Sequence, residues 1–125
     1  IKVSKVRIEL NERIRFGDNS SKLLSESFAV VDDIVRVLLD APDMTLSIEG
    51  HTNSVGTDED NLLLSKQRAD SVRLYMESKG IAGDRLSSTG YGETRPIDTN
   101  RTSSGRAKNE RVEFQIVTGE SDGSQ

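Results

Sequence analysis

The sequence predicts an α/β two-layer sandwich, a small mixed sheet with its helices packed on one face. Three observations predict it. Short runs of alternating apolar and polar residues surround Leu46 and Phe114, longer stretches of helical spacing cover 28–39 and 57–79, and the two kinds of segment interleave in the order β-α-β-α-β-β.

At the start of the chain Val6, Ile8 and Leu10 alternate with charged residues, and Ile14 and Phe16 resume the pattern after Asn11-Glu12, as in a strand or a bent hairpin entering the core. Gly17-Asp18-Asn19-Ser20-Ser21 has the chemistry of a turn. Phe28, Val31, Val35, Leu38 and Leu39 then follow helical spacing until Pro42, which lacks an amide hydrogen and cannot continue a helix. Met44, Leu46 and Ile48 alternate with Thr45, Ser47 and Glu49 in a second strand that stops at Gly50, which places His51-Thr52-Asn53 at its carboxyl end.

Thr57 is positioned to cap a helix by accepting the backbone N–H of Asp60, and Asp58, Glu59 and Asp60 set negative charge at the positive end of its dipole. That helix runs to about Lys79, with Gly80 as the residue that turns the chain out of it. Ala69, Val72 and Met76 form its inward stripe; Leu64 and Arg68, four apart, share a face and are expected near its amino-terminal end, at a strand-to-helix junction. Leu86 and Ser88 suggest a third strand leading into Gly90-Tyr91-Gly92-Glu93. A long polar loop through Asn100 and Gly105 precedes a final strand with Val112, Phe114 and Ile116 inward. One domain is expected over residues 1–117, followed by a disordered Gly/Ser/Asp/Glu-rich tail over 118–125.

A chain of 125 residues is long enough for one self-sufficient core. Its net charge of −4, with 30% charged residues of both signs interspersed, argues against a nucleic-acid partner, which would need clustered Lys and Arg. With no cysteine, disulfides and thiolate metal sites are excluded. No apolar run approaches the roughly 18 residues of a membrane span, so no direct insertion by this segment is expected. The chain starts at Ile1 without an initiator methionine, as expected of a piece of a longer protein.

Four separated motifs occur in a characteristic order: Ile14 to Leu23; Gly50-His51-Thr52-Asn53 with Asn61 and the run Leu64 to Ala69; Gly80-Ile81 with Arg85 and Gly90 to Pro96; and Asn100 to Phe114. In this order and spacing, residues from about Val6 to Ile116 resemble the OmpA-like, peptidoglycan-binding domain family. The resemblance implies non-covalent binding of the peptidoglycan stem peptide through diaminopimelate. It implies further that a membrane-associated parent is anchored to the cell wall in the periplasm of a Gram-negative bacterium, at its outer or inner membrane, with no cofactor or metal and with a homodimer left open. Carried over by position, Arg68 would hold the ligand carboxylate, for which a planar charged fork is the natural partner. Asn19 and Asn61 would bond the backbone or head group, Arg111 would close the pocket, Leu64 would pack on the methylenes and Thr52 would give backbone contacts.

Three departures stand out. Asn53 occupies the place of a usual aspartate, and exchanging a charge-assisted hydrogen bond for a neutral one loses on the order of 1–2 kcal/mol, about tenfold in affinity. Asp18 stands where an aromatic residue is common, removing a stacking wall. Glu110 replaces a common arginine beside Arg111, with its side chain expected in solvent. Asn53 has an alternative reading as a turn residue capping its own loop, and the alternative function is a protein-interaction or spacer module that has kept the fold and lost the ligand. No enzyme is expected, because no paired carboxylates, metal-ligand cluster or nucleophile with a base is visible. His51, the single histidine, is expected to make structural hydrogen bonds. Gly90-Tyr91-Gly92 reads as a flexible turn, since Arg95 stands where a third phosphate-loop glycine would be needed.

Overall fold

The computed structural model describes residues 2–3 and 7–118. Among them are five strands and three α-helices: β1 (Lys2–Val3), β2 (Arg7–Glu9), α1 (Phe28–Asp40), β3 (Thr45–His51), α2 (Asp58–Ser78), β4 (Leu86–Gly90), α3 (Ser103–Asn109) and β5 (Arg111–Thr118). They form one mixed sheet in the order β1-β2-β5-β3-β4, in which β3 and β4 are parallel and the other pairs antiparallel. The predicted α/β sandwich is correct. Two details differ from the expected element order: the opening strand is divided into the short β1 and β2, and the polar loop before the last strand contains α3. Thr118, expected to open the tail, instead ends β5 opposite Thr45; residues 119–125 of the predicted tail and Val6 lie outside the described residues.

Alternation decides the two faces of the sheet. Leu46 and Ile48 of β3 and Val112 and Phe114 of β5 are buried in one cluster with Val31, Ile34, Val35 and Leu38 of α1 and Ala69, Val72 and Met76 of α2. Ile48 pairs with Phe114 in the register, so these rows lie side by side under the helices. Gln115, Glu113, Glu49 and His51 alternate with them onto the opposite face.

The helix ends follow from local chemistry. Thr57 Oγ1 accepts the Asp60 N–H at 3.1 Å, as the sequence predicts. At the other end Gly80 has φ +102°, and the N–H groups of Gly80 and Ile81 donate to the Glu77 and Met76 carbonyls at 3.0 and 3.2 Å, closing the helix with a left-handed residue that glycine adopts at no steric cost. The last carbonyls of α1 are satisfied from a distance. Arg85 Nη2 donates to Leu38 O at 2.8 Å and Ala41 O at 2.7 Å, and its Nε donates to Met44 O at 3.1 Å.

Helix α2 lies unusually close to the sheet. Gly50 and Gly90 are register partners on β3 and β4, and a Cβ on either would meet backbone of α2, at 2.1 Å from Ser65 O and 2.4 Å from Lys66 N respectively. Two adjacent glycines thus form the floor on which the middle of α2 rests. Ser65, fully buried, fastens the contact by accepting the Gly92 N–H at 2.9 Å while its hydroxyl donates to Leu62 O at 2.8 Å.

Candidate functional site

A cleft of about 640 Å³ opens between the 13–19 segment, the carboxyl end of β3, the middle of α2 and the start of β5. The 13–24 segment folds back on itself through a Phe16 to Leu23 bridge and backbone bonds from Leu24 N to Arg15 O and Gly17 N to Lys22 O. Asn19 takes φ +48° at its tip, a left-handed conformation that asparagine tolerates better than most residues.

Of the residues proposed from sequence, Asn19, Arg68 and Arg111 line this cleft. Arg68 is not near the helix start, as the sequence reading placed it, but in the middle of α2, and it reaches sideways. Its Nε donates to Ser20 O at 2.9 Å and its Nη1 to Glu110 Oε2 at 3.3 Å, while the guanidinium carbon lies 5.1 Å from the Phe16 ring centroid. Burial pulls the Arg68 pKa below the usual arginine range, against the opposing pull of Glu110. Arg111 is committed on every nitrogen: Nε to Glu113 Oε2 at 2.6 Å, Nη1 to Asn109 O at 3.0 Å and Nη2 to Arg95 O at 2.8 Å. These bonds fix it as a brace in the wall of the cleft, with one N–H on each terminal nitrogen left over.

Thr52, Asn53, Asn61 and Leu64 do not line the cleft. The first three belong to a neighbouring cluster that ties the β3–α2 loop to the turn after β4. Thr52 N donates to Gly92 O at 2.8 Å and Thr52 Oγ1 to Asn53 O at 2.8 Å, and Asn61 Nδ2 reaches Asn53 O at 3.3 Å and Glu93 Oε1 at 3.0 Å. Asn53 Oδ1 accepts the Val55 N–H at 2.9 Å, which is the turn-capping geometry weighed as its alternative reading.

Two expectations need correction. Glu110 does not point to solvent: it is half-buried and paired with Arg68, and burial raises its pKa against the lowering effects of Arg68 and Arg13. Its position became readable only once α3 placed it at a helix end facing α2. His51 does not hydrogen-bond. It is 3% exposed, neither ring nitrogen has a partner among the described residues, and its ring stacks on Tyr91 at 5.3 Å between centroids, with Arg95 on Tyr91 at 3.7 Å. The aromatic wall expected to be missing at Asp18 is present as Phe16, two residues earlier.

Beside His51 lie Glu49 and Glu113, with candidate ligand atoms of all three within 4.8 Å of one another. Arg111 and Arg95 act on the same group. Two carboxylates facing two guanidinium groups are already neutral, and a divalent ion added there would leave an uncompensated double charge.

Burial, followed by Arg111, lowers the His51 pKa to about 4. A histidine held neutral in the fold makes no pH-dependent difference above its unfolded pKa. As pH falls below about 6.5 the unfolded chain takes up the proton first, so stability is lost progressively until His51 itself protonates near pH 4. A loss on the order of 2 kcal/mol by pH 5 is expected, partly offset by Glu49 and Glu110, whose raised pKa values act in the opposite sense. Urea unfolding of wild type and His51→Phe at pH 7 and pH 5 checks this: the variant should lose less between the two.

A profile of the OmpA family matches residues 15–110. The chain is 38% identical over 112 residues to outer membrane porin F of Pseudomonas aeruginosa, covering 89% of this chain and 31% of that protein. It is 36% identical over 103 residues to the peptidoglycan-binding protein ArfA of Mycobacterium tuberculosis, covering 82% and 32%. The chain therefore spans about a third of the length of these curated relatives. Its fold is similar to the crystal structure of the peptidoglycan-associated lipoprotein from Burkholderia pseudomallei, with TM-score 0.78, 23% identity, and coverage of 85% of this chain and 91% of that one.

Proposed function

Because this chain belongs to the OmpA family, we propose that it is a non-catalytic cell-wall tether. In this reading it binds peptidoglycan through the diaminopimelate of the stem peptide and holds a membrane-associated parent protein in the periplasm. The observation that carries the reading is the Arg68 guanidinium, fixed through Nε and Nη1 at the wall of an open cleft with Nη2 making no hydrogen bond among the described residues. A rigid fork with its Nη2 amino group to spare, largely shielded from water, suits a carboxylate arriving from solution. The peptidoglycan-binding relative supports the ligand class.

Calorimetric titration with a diaminopimelate-containing muropeptide tests it. Wild type should bind, Arg68→Lys should lose at least tenfold because a point charge cannot keep the Ser20 and Glu110 bonds together with the ligand, and Arg68→Ala should lose about 2–3 kcal/mol, near a hundredfold. No wild-type binding at millimolar ligand would overturn the proposal. It would favour the second reading, a spacer or interaction module, which is supported by the way Asn53 is spent in its own turn.

A further inference from the structure

The cleft contains a carboxylate that the tethering reading leaves without a task. Glu110 is the residue between α3 and β5, and its Oε2 lies 3.3 Å from Arg68 Nη1, with side chains 31% and 14% exposed respectively. The pair is not closed on itself. Glu110 Oε1 and the Arg68 Nη2 amino group make no hydrogen bonds among the described residues, so an acceptor oxygen and N–H donors remain on a bonded pair whose two residues both line the cleft.

We propose that Glu110 accepts the ligand's ammonium, so that the site reads a free α-amino acid end, carboxylate on Arg68 and amine on Glu110, and binds N-acylated forms more weakly, through Arg68 alone; this rests on the tethering reading above. An α-amino acid carries its opposite charges on one carbon, and a fork and a carboxylate in direct contact are the complementary arrangement. Burial makes Glu110 costly to ionise, and a second cation restores some of the solvation it has lost. The other acidic groups fit the task less well. Glu26 is exposed and already pairs with Arg15 at 3.6 Å, and Asp18 is exposed; the uncharged Asn53 lies outside the cleft with its Oδ1 occupied. Arg13, the other cation acting on Glu110, is engaged with the Ala107 carbonyl.

The test is calorimetric titration of wild type, Glu110→Gln and Arg68→Ala with L-Ala-γ-D-Glu-meso-diaminopimelate and with the same peptide acetylated on the side-chain amine. Glu110→Gln should weaken the free-amine peptide at least tenfold and change the acetylated one less than twofold, while Arg68→Ala weakens both. If Glu110→Gln binds the free-amine peptide as well as or better than wild type, or loses both peptides equally, the carboxylate is a competitor or a mere brace and the inference fails. Loss confined to Arg68→Ala would overturn this inference and leave the tether standing. A wild type that binds neither peptide would overturn both. Glu110→Gln is isosteric at a half-exposed position, so an unchanged melting temperature identifies the effect as local.

Discussion

Gly50→Ala is expected to lose at least about 4 kcal/mol of folding free energy, a large part of what a single domain possesses. The added Cβ would sit 2.1 Å from the Ser65 carbonyl oxygen and 2.9 Å from its carbon, both backbone atoms of a helix that cannot step aside locally. Moving α2 outward would strip Ala69, Val72 and Met76 from the core rows of β3 and β5, and it would break the Ser65 hydroxyl's bond to Gly92 N. Overpacking of a side chain usually costs about 1–3 kcal/mol because rotamers adjust; here the obstacle is main chain, so the upper end of the range is exceeded. Urea denaturation should show a much lower midpoint or no folded baseline. A melting curve within a few degrees of wild type would contradict a tight main-chain contact between α2 and the sheet. The same change at Gly80, where nothing lies within 4 Å of a Cβ, meets only the conformational penalty of φ +102° and should lose about 1 kcal/mol.

Asn109→Ala should lose about 3 kcal/mol. Its side chain is fully buried, and it serves four partners in one short loop: Oδ1 accepts from Ile97 N at 2.8 Å and Asp98 N at 3.0 Å, while Nδ2 donates to Asp98 O at 2.9 Å and Asn100 Oδ1 at 2.8 Å. Removing the amide leaves these partners unpaired in a part-buried loop, each at up to roughly 1–3 kcal/mol before water or local relaxation compensates. Asn109→Asp discriminates between lost volume and lost hydrogen bonds. It keeps the acceptor half but sets a carboxylate oxygen against two acceptors, so at neutral pH it should be no more stable than the alanine variant and should recover on acidification. Because Asn109 O also holds Arg111 Nη1 at 3.0 Å, both variants should loosen the wall of the cleft. Amide hydrogen exchange at Ile97 and Asp98 would report that directly, and unchanged protection there would contradict the bracing role.

Much of the fold was legible because its signals are local and periodic. Thr57 caps α2, Pro42 follows α1 and Gly80 closes α2 by interactions within a few residues, and the two-residue alternation in β3 and β5 correctly assigns their faces. Helix α3 lacked such a signal. Only Gly105 and Asn109 of its residues are buried, too few for an apolar stripe, and the Thr102 hydroxyl accepting the Gly105 N–H at 3.0 Å was the one local cue.

The sequence by itself therefore determined the sandwich, the order of its main elements, the family and the residue types able to hold a zwitterion. Tertiary structure alone decided which of those residues meet. Arg68 finds Ser20 and Glu110 across 48 and 42 positions of chain, Asn53 and Asn61 are drawn into a separate loop-fastening cluster, and the His51 ring is buried against Tyr91 with no hydrogen-bond partner among the described residues. Local propensity specifies turns and helices through neighbours in sequence, whereas the partner of a charged side chain depends on distant backbone brought close by packing. That contact leaves no periodicity from which it could be read.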